Sequence, residues 1–221
     1  MTASSPTPGE VEPRLSVVAP GAGEATHTVV IVLPGGRSRD RTRARPTRLA
    51  NLRMLPIARA ARRGAGDGVA VWRLLYRYRG WNEPFLDPVQ DCRWAMDEAR
   101  RQFPRASVVL VGHSMGGRTA LYAAGHPSVV AVCALAPWIE RGDPVATVAG
   151  RALLLVHGDR DRITEPAATR WYAEQAQGVA ASVRLVRLAD GHGMLRRWST
   201  WHGLVQDFVS GVGAASHDRR P

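Results

Sequence analysis

The chain has 221 residues, 45% of them hydrophobic, enough for one domain with its own buried core. Its formal net charge is +11, and every one of its 30 basic residues is arginine. No apolar run approaches the roughly 18 residues of a membrane span, and the first residues lack the positive start and apolar core of a secretory signal. These features exclude a membrane-spanning reading and leave a soluble, cytoplasmic protein as the expectation.

In chain order, residues 1–23 are rich in serine, proline and glycine and are expected to form a flexible tail, with 14–18 as a candidate edge strand. Val29–Leu33 is the first buried-strand pattern, and it runs into Pro34-Gly35-Gly36-Arg37. An arginine-dense stretch follows from Arg37 to Arg63, holding Arg37, Arg39, Arg41, Arg43, Arg45 and Arg48, and its second half predicts a helix over 47–63. Further strands are predicted at 69–75, 107–111, 129–135, 152–156 and 183–188, with helices at 88–102, 115–124, 166–177 and 198–210. Gly213–Pro221 is expected to be a disordered tail. This alternation points to an α/β fold, a mostly parallel sheet with helices on both faces, in a single domain over 24–212. Cys92 and Cys133 fall in a helix and a buried strand and read as core residues.

The most informative segment is Val108-Val109-Leu110-Val111 leading into Gly112-His113-Ser114-Met115-Gly116-Gly117. A serine with glycines two positions away on either side, between a buried strand and a helix, is the pattern of a nucleophile elbow. Its sharp turn strains the backbone at Ser114 and leaves no room for a Cβ at 112 and 116. The hydroxyl then projects at the carboxyl edge of the sheet, and the Met115 amide points at whatever Ser114 attacks. A serine hydroxyl needs a histidine base, and the base needs a carboxylate to hold its tautomer. Downstream, one strand pattern opens into His157-Gly158-Asp159-Arg160-Asp161 and another into Asp190-Gly191-His192-Gly193.

Together these separated motifs resemble the α/β-hydrolase fold, in its serine hydrolase branch, over roughly residues 28–211. The order nucleophile, acid, histidine is that family's order. The resemblance implies Asp161 as the acid, three residues after the glycine of the His-Gly pair, in preference to its neighbour Asp159, and His192 as the base. It implies a second oxyanion amide in the loop after the first core strand. Gly36 is the choice there, with Gly35 and Arg37 as one-residue alternatives, and Pro34 stands where histidine is frequent. The connector Pro137–Gly150 has only 14 residues, too few for a multi-helix lid, so the fold is expected to be nearly capless, in the style of esterases and thioesterases. Gly35, Arg37, Trp81 and Trp138 are candidate pocket residues, the two tryptophans being equally readable as packing.

The remaining histidines are expected to be structural. His113 should point away from Ser114, His157 should be packed or hydrogen-bonded, and His27, His126, His202 and His217 lie at boundaries, on a helix face or in a tail. None has metal-ligand spacing, so neither a metal nor another cofactor is expected. The functional expectation is a serine hydrolase acting on a small-molecule carboxylic ester or thioester through Ser114, Asp161 and His192, with the Met115 and Gly36 amides as oxyanion donors. Two other classes stand beside it: a non-catalytic binding protein on the same fold, and an arginine-rich binder of nucleic acid or anionic surfaces. No nucleic-acid module is recognisable and the aromatics do not interleave with the basic run, so nucleic-acid binding is not expected. Steering of anionic substrates stays open, and the oligomeric state is not legible.

Overall fold

The computed structural model describes residues 11–19 and 25–217, and the side chains up to Gly213. Seven strands are present among the described residues: β1 (Arg14–Ala19), β2 (Thr28–Leu33), β3 (Val69–Leu75), β4 (Ser107–His113), β5 (Val129–Leu135), β6 (Ala152–Gly158) and β7 (Ser182–Leu188). They form one sheet in the order β1-β3-β2-β4-β5-β6-β7. Every neighbouring pair is parallel except β1 with β3. The helices are α1 (Leu49–Gly64), α2 (Asp87–Gln102), α3 (Met115–Ala123), α4 (Pro166–Ala176) and α5 (Trp198–His217).

The strand sequences explain the layering. All six residues of β2 are buried, as are Val108–His113 of β4, because a central parallel strand meets helices on both faces and needs apolar side chains on both. Alternate residues of these strands feed two cores. Val30, Val32, Val109 and Val111 meet Met54 and Ile57 of α1 and Trp201 and Val205 of α5. Val29, Ile31, Val108 and Leu110 meet Cys92 and Met96 of α2, Ala120 and Leu121 of α3, and Tyr172 of α4. Cys92 and Cys133 are both free and fully buried, and burial pushes the Cys92 thiol up to about 12.

Two stretches differ from the expected tails. β1 pairs with β3 from Arg14↔Leu75 to Ala19↔Val71, giving the candidate edge strand a place inside the stretch expected to be flexible. Residues 1–10, 20–24 and 218–221, which complete those tails, lie outside the described residues. At the other end α5 continues to His217 and so takes in the start of the stretch expected to be disordered from Gly213. Gly211 and Gly213 cost a helix about 1 kcal/mol each. Trp201, Val205 and Val209 nevertheless recur on one buried face, and Val212, beyond the expected end, still packs against the same core.

Strand order places the site. From β2 the chain moves outward to β3, then crosses back so that β4 lies on the other side of β2. The carboxyl ends of β2 and β4 therefore flank a crevice at the switch point, where open α/β sheets bind ligands. Ser114 sits at that end of β4 with φ 57 and ψ −120, outside the common regions for a residue with a Cβ. A Cβ on Gly112 would lie 2.1 Å from the Gly116 carbonyl oxygen, and one on Gly116 would lie 2.3 Å from that of Leu33. The two glycines let the chain reverse from strand to helix while α3 passes against the end of β2.

Between β5 and β6 the short connector holds only a 3-10 turn at Ala146–Val148, and no separate lid is built there. Arg118, on α3 and 2% exposed, fastens it. Its Nε donates to Asp143 Oδ1 at 3.0 Å, and one Nη reaches Asp143 at 2.6 Å and Glu140 at 2.9 Å. Its guanidinium carbon lies 4.5 Å from the Trp81 ring centroid and 4.4 Å from that of Trp138. Replacing Arg118 by Leu leaves the buried Asp143 carboxylate without its cation, and removing one partner of a buried pair costs about 3–5 kcal/mol. Urea unfolding of Arg118→Leu is expected to show a loss of that size, with Asp143→Asn added to Arg118→Leu recovering part of it.

Candidate active site

The acid loop leaves β6 at Gly158. Asp161 turns back so that its carboxylate is fully buried, while Asp159 stays exposed. Asp161 Oδ1 accepts from the amides of Ile163 at 2.8 Å and Thr164 at 3.0 Å. Oδ2 accepts from the Thr164 hydroxyl at 2.9 Å and lies 2.8 Å from Nδ1 of His192. Burial pushes this carboxyl up, but the two amides and the imidazole outweigh it and hold the group below the usual carboxylate range. It is an anion at neutral pH. The network assigns the His192 proton to Nδ1, which leaves the lone pair of a neutral ring on Nε2, the arrangement a base requires.

A second imidazole reaches the same carboxylate. Nε2 of His157 lies 3.2 Å from Asp161 Oδ2, and its Nδ1 lies 2.7 Å from the Thr169 hydroxyl. With Nε2 protonated, His157 donates to Asp161 and accepts from Thr169, and burial keeps it neutral by lowering its pKa. His157 is thus packed and hydrogen-bonded, and its contact with Asp161 has no local signal in the sequence.

The histidine loop leaves β7 and is laced to the acid loop through the backbone. The Asp159 amide donates to Leu188 at 2.9 Å and the Arg160 amide to Asp190 at 3.0 Å. A Cβ on Gly158 would lie 2.3 Å from the Asp190 carbonyl oxygen, so only glycine permits this approach. Asp190 itself, 2% exposed, accepts from the amides of Gly191 at 2.8 Å and Arg197 at 2.9 Å and from the Trp201 indole at 3.0 Å. It thereby ties the loop carrying His192 to the first turn of α5. His113 adds another tie: its Nε2 donates to the His192 carbonyl at 3.0 Å, and the two ring centroids are 4.7 Å apart. Neither Asp190 nor the tie from His113 was anticipated. The available signals were an aspartate two residues before the candidate base and a histidine beside the elbow serine.

Ser114 is therefore next to the residue whose ring lies tilted against that of His192. Among the described residues its hydroxyl makes no hydrogen bond. The structure thus joins Asp161 to His192 directly, and in the chain Ser114 follows His113, whose ring borders that of His192. The Pro34-Gly35-Gly36 loop lies against the elbow: a Cβ on Gly35 would be 3.3 Å from Ser114 Cβ, and one on Gly36 would be 2.4 Å from Met115 Cε. Met115 is the first residue of α3, so its amide has no intrahelical acceptor. The Arg37 amide donates to Arg79 at 2.9 Å and is unavailable, whereas those of Gly35 and Gly36 have no acceptor among the described residues. Trp81 is 1% exposed and meets Tyr122 and Trp138 edge to face. Trp138 is half-buried, and its amide donates to the Ser114 carbonyl at 3.1 Å. Among the described residues no cluster of three or more His, Cys, Asp or Glu is placed to hold a metal, and no helix is long and apolar enough to cross a membrane.

With this geometry in hand, comparison with known proteins defines the class. Residues 58–153 match the family model of the serine aminopeptidases, S33, a span that includes the elbow and stops short of Asp161 and His192. No curated protein sequence matches the chain. A lidless α/β serine hydrolase from Xanthomonas campestris superposes with a TM-score of 0.65 at 22% identity, covering 90% of this chain and 89% of that one. Est1E from Butyrivibrio proteoclasticus, with ferulic acid bound, gives 0.67 at 14% identity, covering 94% and 96%. The butyrate-bound esterase Est2 from Thermogutta terrifontis gives 0.67 at 16%, covering 93% and 91%. The chain has the α/β-hydrolase fold, and among the described residues no lid domain is built between β5 and β6.

The buried imidazoles make stability acid-sensitive in a defined window. Burial first, and then the neighbouring His192, lower the pKa of His113 to about 3, against about 6.5 in an unfolded chain. Between these values the unfolded state binds a proton that folded His113 refuses. Stability from this residue is complete above pH 6.5 and falls by about 1.4 kcal/mol per pH unit below it; His157 acts in the same direction. Urea unfolding at pH 6.5, 5.5 and 4.5 is expected to show this decline, with a shallower slope in His113→Gln. An unchanged slope in that variant contradicts the assignment.

Proposed function

We propose that the protein is a serine hydrolase that cleaves carboxylic esters or thioesters through an acyl-enzyme. The observation that carries this reading is the 2.8 Å contact between the buried Asp161 carboxylate and Nδ1 of His192, beside a serine held at φ 57 on an elbow. Ser114 Oγ attacks the carbonyl carbon while His192 Nε2 takes its proton, and Asp161 stabilises the imidazolium that forms. The developing oxyanion accepts from the amides of Met115 and Gly36, which are fixed before the reaction begins. His192 then returns the proton to the leaving alcohol or thiol. Water activated by the same imidazole attacks the acyl-Ser114 ester, releasing the acid and regenerating the serine. No cofactor enters these steps.

The Ser114 hydroxyl must move into reach of His192 Nε2, and substrate arriving at the crevice supplies the occasion. The absence of a lid domain suits small esters approaching from open solvent, with Trp138 walling one side of the site and Gly35 and Arg37 the other. The Butyrivibrio and Thermogutta proteins, one holding ferulic acid and the other butyrate, support a carboxylic substrate. A soluble protein working in the cytoplasm fits this reading.

Hydrolysis of p-nitrophenyl esters from acetate to octanoate, alongside a thioester, tests it. The wild-type chain is expected to turn over at least one member of the series, and Ser114→Ala or His192→Ala to lose about 10⁴- to 10⁶-fold in kcat. Retention of most activity by Ser114→Ala contradicts the mechanism, and no turnover of any ester by the wild-type chain favours a non-catalytic binding protein.

A further inference from the structure

Immediately beside the oxyanion loop lies a cavity of about 270 Å³, bounded by Gly35, Gly36, Arg37, Arg48, Tyr78 and Arg79 among others. It opens where the substrate of the proposed reaction must sit, because a Cβ on Gly35 would already touch Ser114 at 3.3 Å. Three of the residues bounding it are arginines, with Arg48 exposed, and none is acidic. The nearest acid, Asp40, is engaged by Arg79 at 3.0 Å, with Arg37 more distant at 3.9 Å. Arg48 has no side-chain partner among the described residues. Farther along α1, half-buried Arg53 also has none, and burial alone lowers its pKa. A Cβ on Gly193, the residue after His192, would lie 3.9 Å from Arg53 Nη2, so this guanidinium borders the histidine loop.

A half-buried arginine left unpaired beside a catalytic crevice is costly to the fold on its own. Arg118 and Arg77, in contrast, are matched by Asp143 and Asp91. Planar guanidinium forks recognise carboxylate and phosphate oxygens by paired hydrogen bonds.

We propose that this cavity is a subsite for an anionic group, a carboxylate or a phosphate, carried by the substrate whose ester or thioester bond is cleaved at Ser114, and that Arg48 on its wall, with Arg53 beside the histidine loop, supplies the unneutralised charge that draws the anion there. The proposal rests on the serine hydrolase reading for the chemistry but not for the binding, and the two separate experimentally. In steady-state assays mono-p-nitrophenyl glutarate, with a terminal carboxylate, is compared with p-nitrophenyl valerate, its uncharged counterpart. The wild-type chain is expected to favour the glutarate ester at least tenfold in kcat/KM at low salt. That preference should shrink at least fivefold, through KM, in Arg48→Gln with Arg53→Gln, and should weaken as salt rises. Circular dichroism of the double variant checks that the helix persists.

In a second arm, glutarate, inorganic phosphate and valerate are titrated calorimetrically into the full-length Ser114→Ala chain. Saturable binding of glutarate or phosphate that is lost with the two arginines supports the subsite, and the stronger of the two identifies the anion. If neither ester is hydrolysed but glutarate or phosphate still binds in this way, the subsite stands and the hydrolase reading falls. Equal handling of both esters, a preference that survives the double substitution, or no anion binding to Ser114→Ala overturns the proposal. Salt-sensitive binding of duplex DNA in place of the small anions does so as well.

Discussion

The close passage of α3 across the ends of β2 and β4 is the constraint on which the rest depends. Gly116 approaches the Leu33 carbonyl and Gly112 approaches Gly116 at distances that no Cβ tolerates. That clearance forces Ser114 into a left-handed φ, raises its side chain at the switch point, and leaves the Met115 amide at the open end of α3. It also brings the Pro34-Gly35-Gly36 loop against Ser114. A methyl group at either glycine would push helix and sheet apart and displace Ser114, the Met115 amide and that loop together. The strained φ persists because two fully packed cores hold the strands on which it stands.

A second level of organisation fixes Asp161 and His192, the proposed acid and base. Asp161 and His192 arrive from different strands, and a hydrogen bond of 2.8 Å between them requires their loops to be positioned within a few tenths of an ångström. Backbone bonds from Asp159 and Arg160 to the β7 end, the Asp190 carboxylate under the first turn of α5, and the His113 donor on the His192 carbonyl supply that precision. The proposed base is thus held through its main chain, with Nδ1 on Asp161 and Nε2 left for Ser114. Support of this kind, around the reacting groups and not among them, separates a working constellation from three residues that are merely near one another.

The layered sheet was legible because its strands are short apolar runs bounded by punctuation. Val29–Leu33 ends at Pro34, Leu153–Val156 ends near Gly158, and α2 and α4 begin with Pro88 and Pro166 near their first positions. The placements of Ser114, Asp161 and His192 at strand ends followed from the same pattern together with a family resemblance. What stayed hidden depends on contacts far apart in the chain. No local pattern reveals that Asp190 caps α5 from the preceding loop, that His113 reaches 79 positions along the chain to a carbonyl, or that Arg118 lies buried between two tryptophans. The end of α5 was set short for a related reason, because its continuation comes from core packing and not from propensity. The arginine-dense segment was visible as composition only. The structure divides it into residues with carboxylate partners, such as Arg41 on Asp87 at 3.5 Å, and residues without, such as Arg48 and Arg53.

The central claim is that this framework activates one hydroxyl. Timed labelling of the full-length chain with a fluorophosphonate, followed by mass spectrometry of the peptides, measures that most directly. The account predicts a single adduct on Ser114, formed at least a thousandfold more slowly in His192→Gln. An adduct on another residue, or a labelling rate indifferent to His192, would contradict it.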